Sequence, residues 1–244
     1  MSASLVGVLG GVGPGATAYF LQRLVERTTA SCDQEHIRTL AFNDTAVPDR
    51  TAFLTGISSR NPLDALLEDG LLLEACGCDL LALPCNTAHC FFDDLQSRLH
   101  VPLVNMVCET VAAAAGAGLR RVEVLATAGT KACDIYGREA ARVGLSCIYP
   151  APLLQERVSR IIFEQVKAGV AVDPRDLDEL AAAAAREGAE GIVLGCTELS
   201  YGFGGRTHAG GLPVIDALDA LADCVIERTG HHVRQEFQLA ETGC

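Results

Sequence analysis

No apolar run in this 244-residue chain approaches the roughly 20 residues that a membrane-spanning helix requires. The longest are strand-length or belong to alanine-rich amphipathic segments. The opening Met1-Ser2-Ala3-Ser4 runs straight into a strand pattern, without the basic segment and cleavage pattern of a secretory leader. Positive charge is also short. Against 31 Asp and Glu stand 19 Lys and Arg, a formal net charge of −12, which argues against nucleic acid or an anionic membrane as a general partner. A small anionic substrate stays open, because one or two buried cations can hold an anion whatever the surface carries. With 49% hydrophobic and 20% charged residues, the expectation is a soluble, cytoplasmic, globular protein with a full interior.

Nucleotide and metal signatures are missing too. The turn Gly10-Gly11-Val12-Gly13-Pro14-Gly15 is not the Gly-x-Gly-x-x-Gly dinucleotide pattern, and no Gly-Lys-Ser/Thr follows it. Its backbone N–H groups, at a helix start, suit a small anion such as a carboxylate. Cys76, Cys78, Cys85, His89 and Cys90 contain no Cys-x-x-Cys pair, and Cys76 and Cys78 would point apart in an extended chain, so no metal is expected.

What the chain has in excess is cysteine. Eleven cysteines, an odd number scattered through apparent helices and strands, do not read as a secreted disulfide framework and fit a reducing compartment. Cys76, Cys90, Cys108, Cys133, Cys147 and Cys224 read as small buried hydrophobes. Cys32, Cys78 and Cys244 carry no assignment.

Two cysteines stand apart because their surroundings repeat. Leu83-Pro84-Cys85-Asn86-Thr87 and Ile192-Val193-Leu194-Gly195-Cys196-Thr197 each run an apolar strand into a cysteine and then a hydroxyl residue at a helix start. Pro102 follows Cys85 at the same spacing as Pro213 follows Cys196. Thiols so placed can face each other across one cleft, where one removes a proton and the other supplies one from the opposite side. A helix N-terminus favours the thiolate. An oxidised pair across the lobes would need a closer approach than a cleft holding substrate allows.

Apolar segments predict strands at 5–9, 37–43, 79–83, 101–104, 121–126, 145–148, 192–194 and 213–215. Helical periodicity predicts helices near 15–30, 62–75, 87–99, 107–117, 153–167 and 216–228, others through Tyr136 and after Asp173-Pro174, and a loop at 44–51. Non-alternating strands separated by helices indicate mostly parallel sheets flanked by helices. The fold class expected is α/β, with two similar lobes related by a pseudo-twofold axis and a cleft between them beyond the strand ends. The boundary falls near residue 118, giving lobes 1–118 and 119–244, with the helix at 216–228 free to pack on the first. Arg50 and Lys167 read singly as solvated surface cations; beside a cleft they become carboxylate ligands. His89 and Glu198 are either supporting partners of the thiols or plain core and cap groups.

The stretches "GVLGGVGPGAT" at the start, "VPDRT" at 47–51, "PCNTAH" at 84–89, "LATAGT" at 125–130, "VKAG" at 166–169 and "GCTEL" at 195–199 together resemble the aspartate/glutamate racemases. The resemblance covers nearly the whole chain and is greatest to the members acting on aspartate. It implies a homodimer that racemises an acidic amino acid with no pyridoxal phosphate, metal or other cofactor. By that resemblance Cys196 takes the α-proton of the L-enantiomer and Cys85 that of the D-enantiomer. Asn86 and Thr87, assisted by Thr130 and Thr197, hold the α-carboxylate and amino group, and Arg50 and Lys167 bind the side-chain carboxylate. Arginine at position 50 goes with aspartate, and glutamine there with broader specificity. Val12 departs from the pattern, standing where the family commonly has a methionine bordering the substrate. The alternatives are glutamate as substrate, hydantoin racemisation, maleate isomerisation, malonate decarboxylation, or a non-catalytic sensor of acidic amino acids. Two cations speak for a dicarboxylate and the intact cysteine pair against a sensor.

Overall fold

Branched aliphatic residues without polar alternation make strands buried on both faces, and β1 (Leu5–Gly10) is one: five of its six residues are fully buried. It lies between β2 (Arg38–Asn43) and β3 (Leu80–Ala82), parallel to both. The computed structural model, which describes residues 4–238, shows the same plan a second time. There β4 (Arg121–Ala126) lies between β5 (Ser146–Ile148) and β6 (Gly191–Gly195), again parallel to both. Outside β6 comes β8 (Leu212–Asp216) and beyond it β7 (His208–Ala209), in the order β5-β4-β6-β8-β7.

The counterpart of β8 in the first sheet is the segment at 101–104, predicted as a strand. It makes a single bridge, in which Leu81 donates to the Pro102 carbonyl at 2.8 Å and Val104 donates to Leu81 at 2.9 Å. The sequence gives no sign of β7 (His208–Ala209), a two-residue antiparallel edge on β8.

Helices cover both sheets. Near the first sheet run α1 (Pro14–Arg27), α2 (Arg50–Leu54), α3 (Leu63–Ala75) and α4 (Phe92–Gln96). Next in the chain come α5 (Met106–Gly116), α6 (Ala128–Cys133), α7 (Ile135–Arg142), α8 (Pro152–Arg160), α9 (Pro174–Arg186), α10 (Thr197–Phe203) and α11 (Ala217–Arg228). Two of them cross over. α11 sets Ala217, Leu218, Leu221 and Val225 against Val6, Val8 and Ala82 of the first sheet. α5 sets Val107, Val111 and Ala114 against Val122, Val124 and Ala126 of the second. The exchange ties the halves through apolar burial, worth about 25 cal/mol per Å² of area removed from water. Bidentate ion pairs add to it: Arg23 grips Asp219 at 2.7 and 2.9 Å, and Arg27 grips Asp223 at 2.6 Å through both nitrogens, joining α1 to α11.

Local structure departs from simple periodicity around the strand ends. The helix predicted at 87–99 is a 3₁₀ turn at Thr87–Phe91 followed by the short α4. The helix predicted at 153–167 is α8 continued by a π turn at Ile161–Val166, a widening often found at functional sites. The loop at 44–51 already contains the start of α2, capped by the Asp49 carboxylate, which accepts from Ala52 N–H at 2.6 Å. The cysteine assignments also need correcting. Cys76 is exposed, at a helix end, and Cys78 is buried against the strands; Cys90, Cys108, Cys133 and Cys147 are half-buried, Cys224 is buried and Cys32 exposed. Cys244 lies outside the described residues. No helix among the described residues is long and apolar enough to cross a membrane.

One core carboxyl gives a stability prediction. Glu123, in the middle of β4, is 1% exposed and its Oε1 has no hydrogen-bond partner. Burial, helped by Glu187 and opposed by Lys131, pushes its pKa to about 7. A folded pKa above the unfolded one means the unfolded chain sheds its proton first, so stability falls as pH rises from about 4.3 to 7. Glu123→Gln is expected to raise the thermal midpoint by at least about 2 °C at pH 8 and to leave it unchanged at pH 4 in calorimetric scans.

Candidate active site

The two repeated cysteines reach their positions by different turns. After β3 the chain tightens so that Cys85 N–H donates to the Leu83 carbonyl at 2.8 Å, a three-residue turn that leaves the thiol at the strand end. Cys196 follows β6 directly and occupies the extended residue before α10. Both cysteines are buried, 6% and 4% exposed, and line one narrow cavity of about 10 Å³. Val12, Arg50, Asn86, Thr87, Lys167, Thr197 and Glu198 line the same cavity. A wider vestibule shares Arg50, Lys167 and Glu198 with it and opens past the glycine turn.

Arg50 is held without a counter-ion. Its Nη1 donates to the carbonyls of Val47 and Pro48 at 3.3 and 3.0 Å, and its Nη2 to that of Val12 at 2.9 Å. A guanidinium has five N–H donors, so Nε–H and one Nη2–H remain, and Nε is buried with no partner. Among the described residues no carboxylate pairs with it. Asn86, 2% exposed, lines the same cavity, and its Nδ2 is likewise buried and unpartnered. A cavity lined by an unpaired cation and an unsatisfied amide donor calls for an anion, because buried charges and donors are costly unless answered.

Glu198 sits between Cys196 and Lys167. The Cys196 thiol donates to Oε2 at 3.0 Å, and Lys167 Nζ lies 3.2 Å from Oε1 without hydrogen-bond alignment, leaving that oxygen able to accept. Burial pushes the Cys196 thiol well above its ordinary value, and the neighbouring carboxylate adds to the rise. The expectation that a helix N-terminus favours the thiolate is overturned there: in a buried site next to an anion, desolvation and like-charge repulsion exceed the effect of one helix end. Lys167 is pulled both ways. Burial disfavours its ammonium, but Glu198 and the two thiols outweigh that and hold its pKa above the usual value. Its ammonium also lies over the Phe163 ring, whose centroid is 5.3 Å from Nζ.

Gly13 makes room for this arrangement. Its φ of 138° lies in the region that side chains rarely adopt, and a Cβ there would come within 2.8 Å of Glu198 Oε1. Gly13→Ala is therefore expected to displace Glu198 from Cys196 and to cost roughly tenfold or more in turnover, measured as initial rate alongside an unchanged circular dichroism spectrum.

Residues 9–225 match the family model described as Asp/Glu/Hydantoin racemase. The chain belongs to that family. A Picrophilus torridus aspartate racemase superposes with a TM-score of 0.83 at 27% identity, over 98% of this chain and 99% of that one. An aspartate racemase homologue from Pyrococcus horikoshii gives 0.75 at 25% identity, over 93% and 99%. A glutamate racemase from Francisella tularensis shares the fold, with a TM-score of 0.67 at 16% identity over 100% and 86%. Bacillus subtilis RacX, described as a broad-specificity amino-acid racemase, is 30% identical over 115 residues; that match takes in 44% of this chain and about half, 48%, of the relative.

Within this racemase-family chain, the residues named from sequence fall into two groups. Val12, Arg50, Cys85, Asn86, Thr87, Lys167, Cys196, Thr197 and Glu198 meet at the cavity. Thr130 and His89 do not line it. Thr130 is buried behind, its hydroxyl 3.0 Å from Thr87 and 3.2 Å from Thr127. His89 braces the turn from below: Nε2 accepts from Met106 N–H at 3.1 Å, so the proton sits on Nδ1, which donates to the Cys85 carbonyl at 2.9 Å. Burial lowers its pKa and keeps it neutral. Thr127, Asp49, Thr51 and Phe163 line the cavity and were missed. Thr127 was within the echoed "LATAGT" motif, and Asp49 and Thr51 flank Arg50 in "VPDRT". Phe163 gave no signal, because the π turn shifts the register that periodicity assumes.

Proposed function

We propose that this family member is an aspartate racemase, interconverting L- and D-aspartate by a two-base mechanism with Cys85 and Cys196 on opposite faces of the substrate. The observation that carries the reading is the buried, unpaired Arg50 in the same cavity as two thiols. In this reading Arg50 and Lys167 take the side-chain carboxylate, while Asn86, Thr87 and Thr197 take the α-carboxylate and amino group. Cys196, resting as a thiol, is the proton donor in one direction; in the other, Glu198 accepts its proton and leaves the thiolate as base. The α-proton is weakly acidic, so most of the barrier has to be lowered by stabilising the carbanionic intermediate in a dry cavity. The reading includes no cofactor, a division near residue 118, a homodimer and a cytoplasmic location. Glutamate is the alternative substrate: Val12 is shorter than the methionine the family commonly has there, which changes the volume beside the substrate side chain.

Chiral chromatography after incubating the purified protein with L-aspartate, L-glutamate and L-alanine, without added cofactor, ranks these readings. D-Aspartate forming fastest supports the proposal. A faster D-glutamate signal moves the assignment to glutamate, and no inversion of either acid overturns it.

A further inference from the structure

Asn86 is an amide, and an amide can face a ligand with either its NH₂ or its oxygen. Which face is turned to the cavity decides whether the site attracts a carboxylate or repels it. Resting on the racemase reading above, we propose that Tyr136 is the positioning residue that fixes this choice, by donating its phenol O–H to Asn86 Oδ1.

The contact spans the two halves of the molecule. Tyr136 is fully buried in the core shared by α5 and the second sheet, and its hydroxyl reaches Asn86, beyond β3 of the first, at 2.5 Å. A phenol has one proton to give. Given to Oδ1, it leaves the amide oxygen satisfied and turns Nδ2 to the cavity, where its donors meet no protein group. The chain geometry upstream serves the same end. α6 and α7 are joined through the single residue Asp134, in left-handed conformation at φ 46°, the one non-glycine residue with positive φ among those described. Gly137 lies against the Asp134 carboxylate, where a Cβ would collide. That sharp junction turns α7 so that Tyr136, in its first turn, points into the core.

Without the phenol O–H, nothing distinguishes the two amide orientations from behind. The oxygen can then turn toward the cavity and oppose an incoming carboxylate. The test is a double-mutant cycle on the intact protein with Tyr136→Phe, Asn86→Ala and the pair, read in two ways: kcat and KM for L-aspartate, and calorimetric affinity for succinate, a dicarboxylate that cannot turn over. Tyr136→Phe is expected to lower kcat/KM and to weaken succinate binding by roughly 10- to 100-fold, with the thermal midpoint of a folded protein retained. In the Asn86→Ala background the same change is expected to add less than about twofold. Additive losses, or an unchanged affinity in Tyr136→Phe, overturn the positioning role while leaving the racemase reading intact. Succinate binding that obeys the cycle in a protein that turns over neither acid supports the positioning role and overturns the racemase reading. Absence of both binding and turnover in the wild type overturns both.

Discussion

Replacing either Cys85 or Cys196 by serine is expected to reduce racemisation of aspartate by roughly 10²- to 10⁴-fold. Serine keeps the size of the side chain and its place at the strand end, so the fold and the cavity survive; what is lost is a group acidic enough to exchange protons with carbon. The two variants are expected to differ in a telling way. With one thiol left, the enzyme can still take the α-proton of one enantiomer and return it to the same face. Each variant should therefore exchange the α-hydrogen of one enantiomer with solvent without inverting it, Cys85→Ser that of L-aspartate and Cys196→Ser that of D-aspartate. Deuterium incorporation followed by mass spectrometry, with chiral separation, reads both outcomes. A sensor of acidic amino acids would bind ligand equally well in all three proteins.

Arg50→Gln carries the second large effect. The guanidinium has lost much of its hydration to burial and is answered only by three carbonyls. A carboxylate arriving there completes a charge-assisted pair worth about 1.5–3 kcal/mol, so removing the charge is expected to lower kcat/KM for aspartate by roughly 10- to 100-fold. Turnover of alanine, which brings no second carboxylate, is expected to change little. Stability should move the opposite way to activity. Without ligand the variant is expected to be as stable as the wild type or more so, since an uncompensated buried charge is gone. With succinate at about 100 times its dissociation constant, the wild type gains about 2.7 kcal/mol and the variant gains little. Thermal scans with and without succinate measure both.

How far the sequence carries this account depends on the range of each interaction. The two lobes, the parallel sheets and the cysteines at strand ends are legible because strand and helix periodicity, and a duplicated motif, are local. The segment at 101–104 looks like a strand for the same reason, though it makes a single bridge, Leu81 to Leu103. The exchange of α5 and α11 between the sheets leaves no local trace, since both helices have the same apolar face whichever sheet they cover. Arg50 was legible as a cation beside a proline but not as a buried one; its burial depends on carbonyls of Val47, Pro48 and Val12. The family resemblance puts Thr130 at the substrate, assisting Asn86 and Thr87. The turn of α6 instead gives that place to Thr127, three residues earlier and next to the strand. The contact of Tyr136 with Asn86 joins residues far apart in sequence, and no spacing announces it. The pKa of Cys196 went against expectation because the effect of a helix end can be read from sequence, whereas the depth of burial cannot.

The central claim is that two thiols on opposite faces of one substrate move its α-proton. Proton NMR of L-aspartate with the purified protein in deuterated water, without added cofactor, tests it most directly. Two-thiol transfer predicts loss of the α-proton signal at the rate at which D-aspartate appears, with deuterium at the α-carbon of the product. An α-proton signal that persists in the presence of folded, reduced protein, or D-aspartate that retains its original α-proton, would contradict it.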